Sequence, residues 1–83
     1  MSSVQRQNAD SAIRAIGQRI ADLRRERGIT QERFAEEVGV SEKYVQRVEA
    51  GTNLSIRSLV RFANALDVPL HTLIEPTHPA EKG

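Results

Sequence analysis

The stretch TQERFAEEVGVSEKYVQRVEAG, residues 30–51, constrains the fold more than any other part of the chain. It holds two short helical runs about a single glycine, Gly39, and ends at another, Gly51. Thr30 and Ser41 each stand where a hydroxyl can accept from the free N–H groups of a first helical turn. Phe34, Ala35 and Val38 share the inner side of the first run, and Val45 and Val48 share that of the second. Gly39 gives the turn between them a positive φ without steric cost. Glu42, Lys43, Gln46 and Arg47 are left on the outer side of the second run. The stretch thus reads either as a helical hairpin packed for its own stability or as a device for reading another molecule.

The flanks supply the rest of a core. Before the stretch, Ile13, Ile16, Ile20 and Leu23 recur at three- and four-residue steps, so a first helix presents one apolar face and turns its arginines largely outward. Asp10 or Ser11 is expected to cap it, and Gly28 to end it. After the stretch, Ser55 opens a fourth helix whose Ile56, Leu59, Phe62, Ala63 and Leu66 form an apolar stripe. Pro69 suits the first position of a short fifth helix with Leu70, Leu73 and Ile74, and Pro76 stops it. The 83 residues make one small domain. It is expected to be all-α, a compact set of five helices over residues 10–76, between a loose N-terminal segment 1–9 and a loose tail 77–83.

Composition removes several classes of function. There is no cysteine, which excludes disulfides, thiolate metal sites and thiol nucleophiles. His71 and His78 stand apart with no H-E-x-x-H arrangement near them, so no metal, cofactor or catalytic constellation is expected and the chain does not read as an enzyme. Glu36 and Glu37 read as a solvated helix face. No apolar run is long enough to span a membrane, and residues 1–10 lack the apolar segment of a signal peptide, so the expected location is the cytoplasm. A net charge of +1 says little about partners, but its distribution is uneven. Residues 11–27 carry Arg14, Arg19, Arg24, Arg25 and Arg27 against Asp22 and Glu26, whereas residues 31–38 set Glu32, Glu36 and Glu37 against Arg33.

Within residues 31–49, Gln31, Ala35, Gly39, Val45, Val48 and Glu49 follow the pattern Q-x3-A-x3-G-x5-V-x2-V-E. Ala35 is small where the third helix crosses the second, Gly39 makes the turn, and the two valines wedge the third helix onto the core. This pattern, with the later segment LVRFANALDVPLHTLIE, resembles the Xre family of helix-turn-helix proteins. Lambdoid phage repressors and restriction–modification controller proteins belong to that family, and the resemblance covers roughly residues 13–75. It implies a lambda repressor-like fold and a sequence-specific regulator of transcription, a repressor or an activator, acting on a double-stranded DNA operator. Helix 41–50 would lie in the major groove and the second helix would cross the backbone. The family's base-reading positions fall here on Glu42, Lys43 and Arg47. Gln31 matches the residue that binds phosphate, and Thr52, Asn53 and Arg57 surround a loop where backbone or minor-groove contacts recur. That loop is one residue shorter than the family's commoner G-x-x-x-P-S form and lacks its proline. Asn53 also suits a turn residue that stabilises its own loop, and Arg57 is open to phosphate, minor groove or solvent. Gln46 shares the exposed face. Tyr44, at its edge, suits either packing or a sugar–phosphate contact. Arg24 and Glu49 match positions that the family commonly joins in an ion pair behind the third helix.

A homodimer on a palindrome follows from the same resemblance and from the few base contacts one small domain can make. Leu70, Leu73 and Ile74 are the expected interface, with the N-terminal extension as the competing site. A second class of function uses the same fold: the antitoxin of a toxin–antitoxin pair, which binds a protein as well as DNA. The short segment Thr77–Gly83 offers little to wrap around such a partner.

Overall fold

A computed structural model describes residues 8–75. The chain forms α1 (Ala9–Glu26), α2 (Gln31–Val38), α3 (Glu42–Gly51), α4 (Ile56–Leu66) and α5 (Leu70–Ile74), with no strand among the described residues. The all-α, five-helix expectation holds. The expected loose segment 1–9, apart from Asn8 and Ala9, lies outside the described residues, as do the tail 77–83, the Pro76 stop and His78.

Three expected caps are present. The Thr30 hydroxyl accepts from Arg33 N at 3.0 Å, that of Ser41 from Tyr44 N at 3.0 Å, and that of Ser55 from Ser58 N at 3.0 Å. Each satisfies an N–H that the helix itself leaves unpaired. Two helix starts differ from expectation. Asn8 caps α1, its Oδ1 accepting from Asp10 N at 2.8 Å and Ser11 N at 3.2 Å. Asp10 instead occupies the first turn, where its charge opposes the positive end of the helix dipole. Pro69 is the residue before α5 and not its first helical position: its φ of −70° would fit a helix, but its ψ of 155° is extended.

The core gathers one face from every helix. Ile20, Phe34, Val45, Val48, Phe62, Leu66 and Leu73 are the largest fully buried side chains. Phe34 and Phe62 meet edge-to-face with centroids 5.5 Å apart, the offset geometry that aromatic quadrupoles favour. Each such burial removes roughly 1.5–3 kcal/mol worth of apolar surface from water. One expected interface residue belongs to this core. Leu73 is 1% exposed within the single chain, because the apolar side of α5 turns toward α4 and α1. It is a packing residue and offers no surface to a partner.

Two long polar side chains fasten elements across the core. Arg61 on α4 donates from Nη2 to the carbonyl of Val38, the last residue of α2, at 3.1 Å. Arg19 on α1 donates from Nε to the carbonyl of Thr72 on α5 at 2.7 Å. Neither contact was foreseen, since an arginine on an outer helix face carries no mark of the carbonyl it will reach. Gly39 makes the turn between α2 and α3 with φ 90°, and its N–H donates to Ala35 O at 2.8 Å.

Candidate nucleic-acid interface

The placement of α3 begins at its buried side. Val45 and Val48 are closed off in the core, and α1 packs closely along the same helix. The approach is made possible by Gly17. A side-chain carbon there would overlap the Val48 carbonyl oxygen and would lie 3.1 Å from that of Glu49. Sequence reasoning passed over Gly17; its one signal was a residue without a side chain amid the isoleucines of α1.

Behind α3, Arg24 and Glu49 form a two-pronged ion pair, with Nε to Oε2 at 2.6 Å and Nη2 to Oε1 at 3.0 Å. Both side chains are almost wholly buried, at 10% and 6% exposure. The remaining guanidinium nitrogen, Nη1, donates to the carbonyl of Ile29 in the link before α2 at 2.8 Å. Gln31, the first residue of α2, adds its Nε2 to Glu49 Oε1 at 2.9 Å. One carboxylate therefore ties together the end of α1, the start of α2 and the later turns of α3. Removal of either charged partner would leave the other buried and uncompensated, a loss of about 3–5 kcal/mol. The expected pairing of Arg24 with Glu49 is present; the inclusion of Gln31 was not expected.

The opposite side of α3 faces solvent. Glu42, Lys43, Gln46, Arg47 and Ala50 are exposed, and among the described residues none of the four polar side chains spends a hydrogen bond or ion pair on the chain itself. Tyr44 sits at the edge, half-buried, with its ring tilted against Phe62 at 6.3 Å between centroids. Packing is thus part of its role. Beyond α3, Thr52 is half-buried, while Asn53 and Arg57 are exposed. The free N–H groups at the start of α2 lie beside Gln31, and such groups favour an anion. The structure brings Gln31, Arg24 and Glu49 together in one network and leaves the outer residues of α3 as a separate, unspent face.

This arrangement matches known proteins. Residues 20–73 match the family described as Helix-turn-helix (HTH_3). The chain belongs to the helix-turn-helix family. It is 40% identical over 68 residues to the transcriptional regulator SinR of Bacillus subtilis (strain 168), a match covering 80% of this chain and 61% of SinR. The chain thus spans about three fifths of the length of that relative. The restriction–modification controller protein C.AhdI of Aeromonas hydrophila superimposes with a TM-score of 0.73 at 34% identity, covering 76% of this chain and 97% of the controller. SinR solved in complex with DNA superimposes with a TM-score of 0.67 at 40% identity, covering 72% of this chain and 98% of that structure. The resemblance to the Xre family is thereby borne out, and these helix-turn-helix relatives are regulators of transcription and not enzymes.

Proposed function

We propose that this helix-turn-helix protein is a sequence-specific, double-stranded DNA-binding regulator of transcription that lays α3 in the major groove. The observation that carries the reading is the unspent outer face of α3 on a helix fixed rigidly from behind by the Arg24–Glu49 pair. Base recognition needs donors and acceptors that are not already bonded, carried on a helix held in place, and α3 supplies both conditions. The DNA in the SinR complex supports the choice of partner.

In this reading Arg47 donates to guanine O6 and N7, Lys43 does likewise or grips phosphate, and Glu42 accepts from a cytosine amine. Gln46 adds a polar contact on the same face. Gln31 and the start of α2 hold a phosphate, and Thr52, Asn53 and Arg57 position the backbone on the far side of α3. Tyr44 keeps its ring on Phe62 and presents its outer edge to sugar or phosphate. The protein works in the cytoplasm, and occupation of an operator is the simplest route to repression. It needs no cofactor or metal for this task.

Two copies on a palindrome complete the reading. With Leu73 taken by the core, we assign the second copy to Ile74 and half-buried Leu70 on α5, with Ile56 and Val60 on α4 as further exposed apolar groups. Ile56, Val60 and Ile74 are the exposed large hydrophobic residues of the described chain, at 63%, 39% and 47% exposure. Selection of bound sequences from a random duplex pool tests the proposal. An enriched palindrome is expected, and Arg47→Ala should then cost about 1–3 kcal/mol and relax preference at one base position. Gln31→Ala should weaken all sequences more evenly. Unchanged affinity and preference in Arg47→Ala would remove α3's outer face from the interface. A second polypeptide co-purifying in fixed ratio, with no enriched DNA, would favour the antitoxin reading.

A further inference from the structure

We infer that Glu49 is a positioning residue for DNA backbone binding: it holds the Gln31 amide so that one N–H is spent inward on Glu49 and the other is aimed at a phosphate. The inference rests on the major-groove reading above and assigns to the buried ion pair a task beyond stability.

The argument is one of donors and acceptors. A carboxylate only accepts hydrogen bonds, so the amide end of Gln31 that meets Glu49 Oε1 at 2.9 Å must be the nitrogen. That choice fixes the whole side chain. An amide nitrogen carries two hydrogens, and Glu49 takes one of them. A phosphate oxygen also only accepts, so the second hydrogen suits a backbone phosphate beside the start of α2. With the amide reversed, a carbonyl oxygen would face both anions and be repelled by each. Gln31 can therefore bridge two acceptors in one orientation alone, and the free protein already holds it.

Charge and burial make the bridge workable. Glu49 is neutralised by the two-pronged contact with Arg24, so a phosphate approaching Gln31 does not meet a bare carboxylate. Glu49 is almost wholly buried and Gln31 half-buried, so the inner hydrogen bond is shielded from water and the outer side of Gln31 is not. Arg24 Nη1 also holds the Ile29 carbonyl at 2.8 Å, which steadies the link leading into α2. The ordering of Gln31 is thus completed before DNA arrives, which lowers the cost of binding. No other residue at the start of α2 reaches the buried pair in this way: Thr30 spends its hydroxyl on Arg33 N, and Glu32 is exposed and carries the wrong charge for a phosphate.

The test uses the full chain and its selected duplex, with each phosphate near the α2 start replaced singly by a neutral methylphosphonate. The ratio of modified to unmodified Kd is measured, which cancels any general change in attraction. Wild type should lose roughly 5–20-fold at one phosphate. Gln31→Met should lose that sensitivity, and Glu49→Met, which leaves the Gln31 amide without its inner acceptor, should lose most of it. A Glu49→Met ratio equal to wild type, or a Gln31→Met ratio equal to wild type, overturns the proposal and leaves the major-groove reading standing. Insensitivity of wild type at every phosphate overturns both. Should Glu49→Met fail to fold, the side-chain amide protons of Gln31 in wild type decide by NMR. One should be shifted and protected from exchange in the free protein, and the other should move on adding duplex. Two protons at free-glutamine positions overturn the assignment.

Discussion

Gly17 and Arg24 show how differently two positions on α1 serve α3. At Gly17 the helices touch backbone to backbone, and an added methyl group would overlap the Val48 carbonyl and crowd Glu49. Since both neighbours are backbone atoms, neither can swing aside. Gly17→Ala should therefore destabilise the protein by about 1–3 kcal/mol, the usual cost of overpacking, and should displace α3 as it does so. Urea unfolding checks the first part, and an unchanged midpoint would mean that α1 and α3 are free to separate. At Arg24 the contact is instead a charge matched to a charge, already suggested by the resemblance of the sequence. Gly17 was not legible because its importance lies in what another helix places opposite it. Gln31 was half legible: its helix-start position was plain, but its bond to Glu49, 18 residues away, was not.

Helix boundaries were the most legible feature at the level of elements. Thr30, Ser41 and Ser55 act within three residues of themselves, so their hydroxyls could be assigned as caps without knowledge of the fold. The cap of α1 was expected two or three residues late, at Asp10 or Ser11 in place of Asn8, and the start of α5 one residue early, at Pro69 in place of Leu70, because these neighbours could serve equally well on local grounds. The end of α4 was not anticipated at all. Asp67 lies there in the left-handed region at φ 59°, the sole residue other than glycine with positive φ among those described. Its N–H donates to Asn64 O at 3.0 Å, so the conformation is held by the turn it closes. A side chain in that region carries strain that glycine avoids. Asp67→Gly should accordingly stabilise the protein by about 0.5–1 kcal/mol, seen as a higher unfolding midpoint, with DNA binding unchanged. A lower midpoint would show that the aspartate side chain supports the turn by more than its backbone strain costs. Arg61, reaching from α4 to the end of α2, shows the complementary case, an element boundary secured by a distant residue.

At the scale of the whole molecule, small net charge and exposed aliphatic residues point the same way. A chain of net charge +1 draws little on general attraction to a polyanion, so its affinity should come from placed contacts doubled by a second copy. Replacement of Val60 and Ile74 together by glutamate should leave the monomer folded and shift sedimentation toward the monomer. On an operator, binding should weaken and lose its concentration-dependent steepness. A wild type that stays monomeric at high micromolar concentration, with and without duplex, would remove the dimer from the reading. By itself the sequence determined the five helices, the caps of α2, α3 and α4, the turn at Gly39 and the outward residues of α3, because these depend on interactions a few residues long. Only the tertiary structure decided that Leu73 is core and Ile56 surface, that Gly17 sets the approach of α1, and that Glu49 joins Arg24 to Gln31. Each of those facts depends on which atoms of a distant segment stand opposite, and periodicity shows which side of a helix is apolar but not what will cover it.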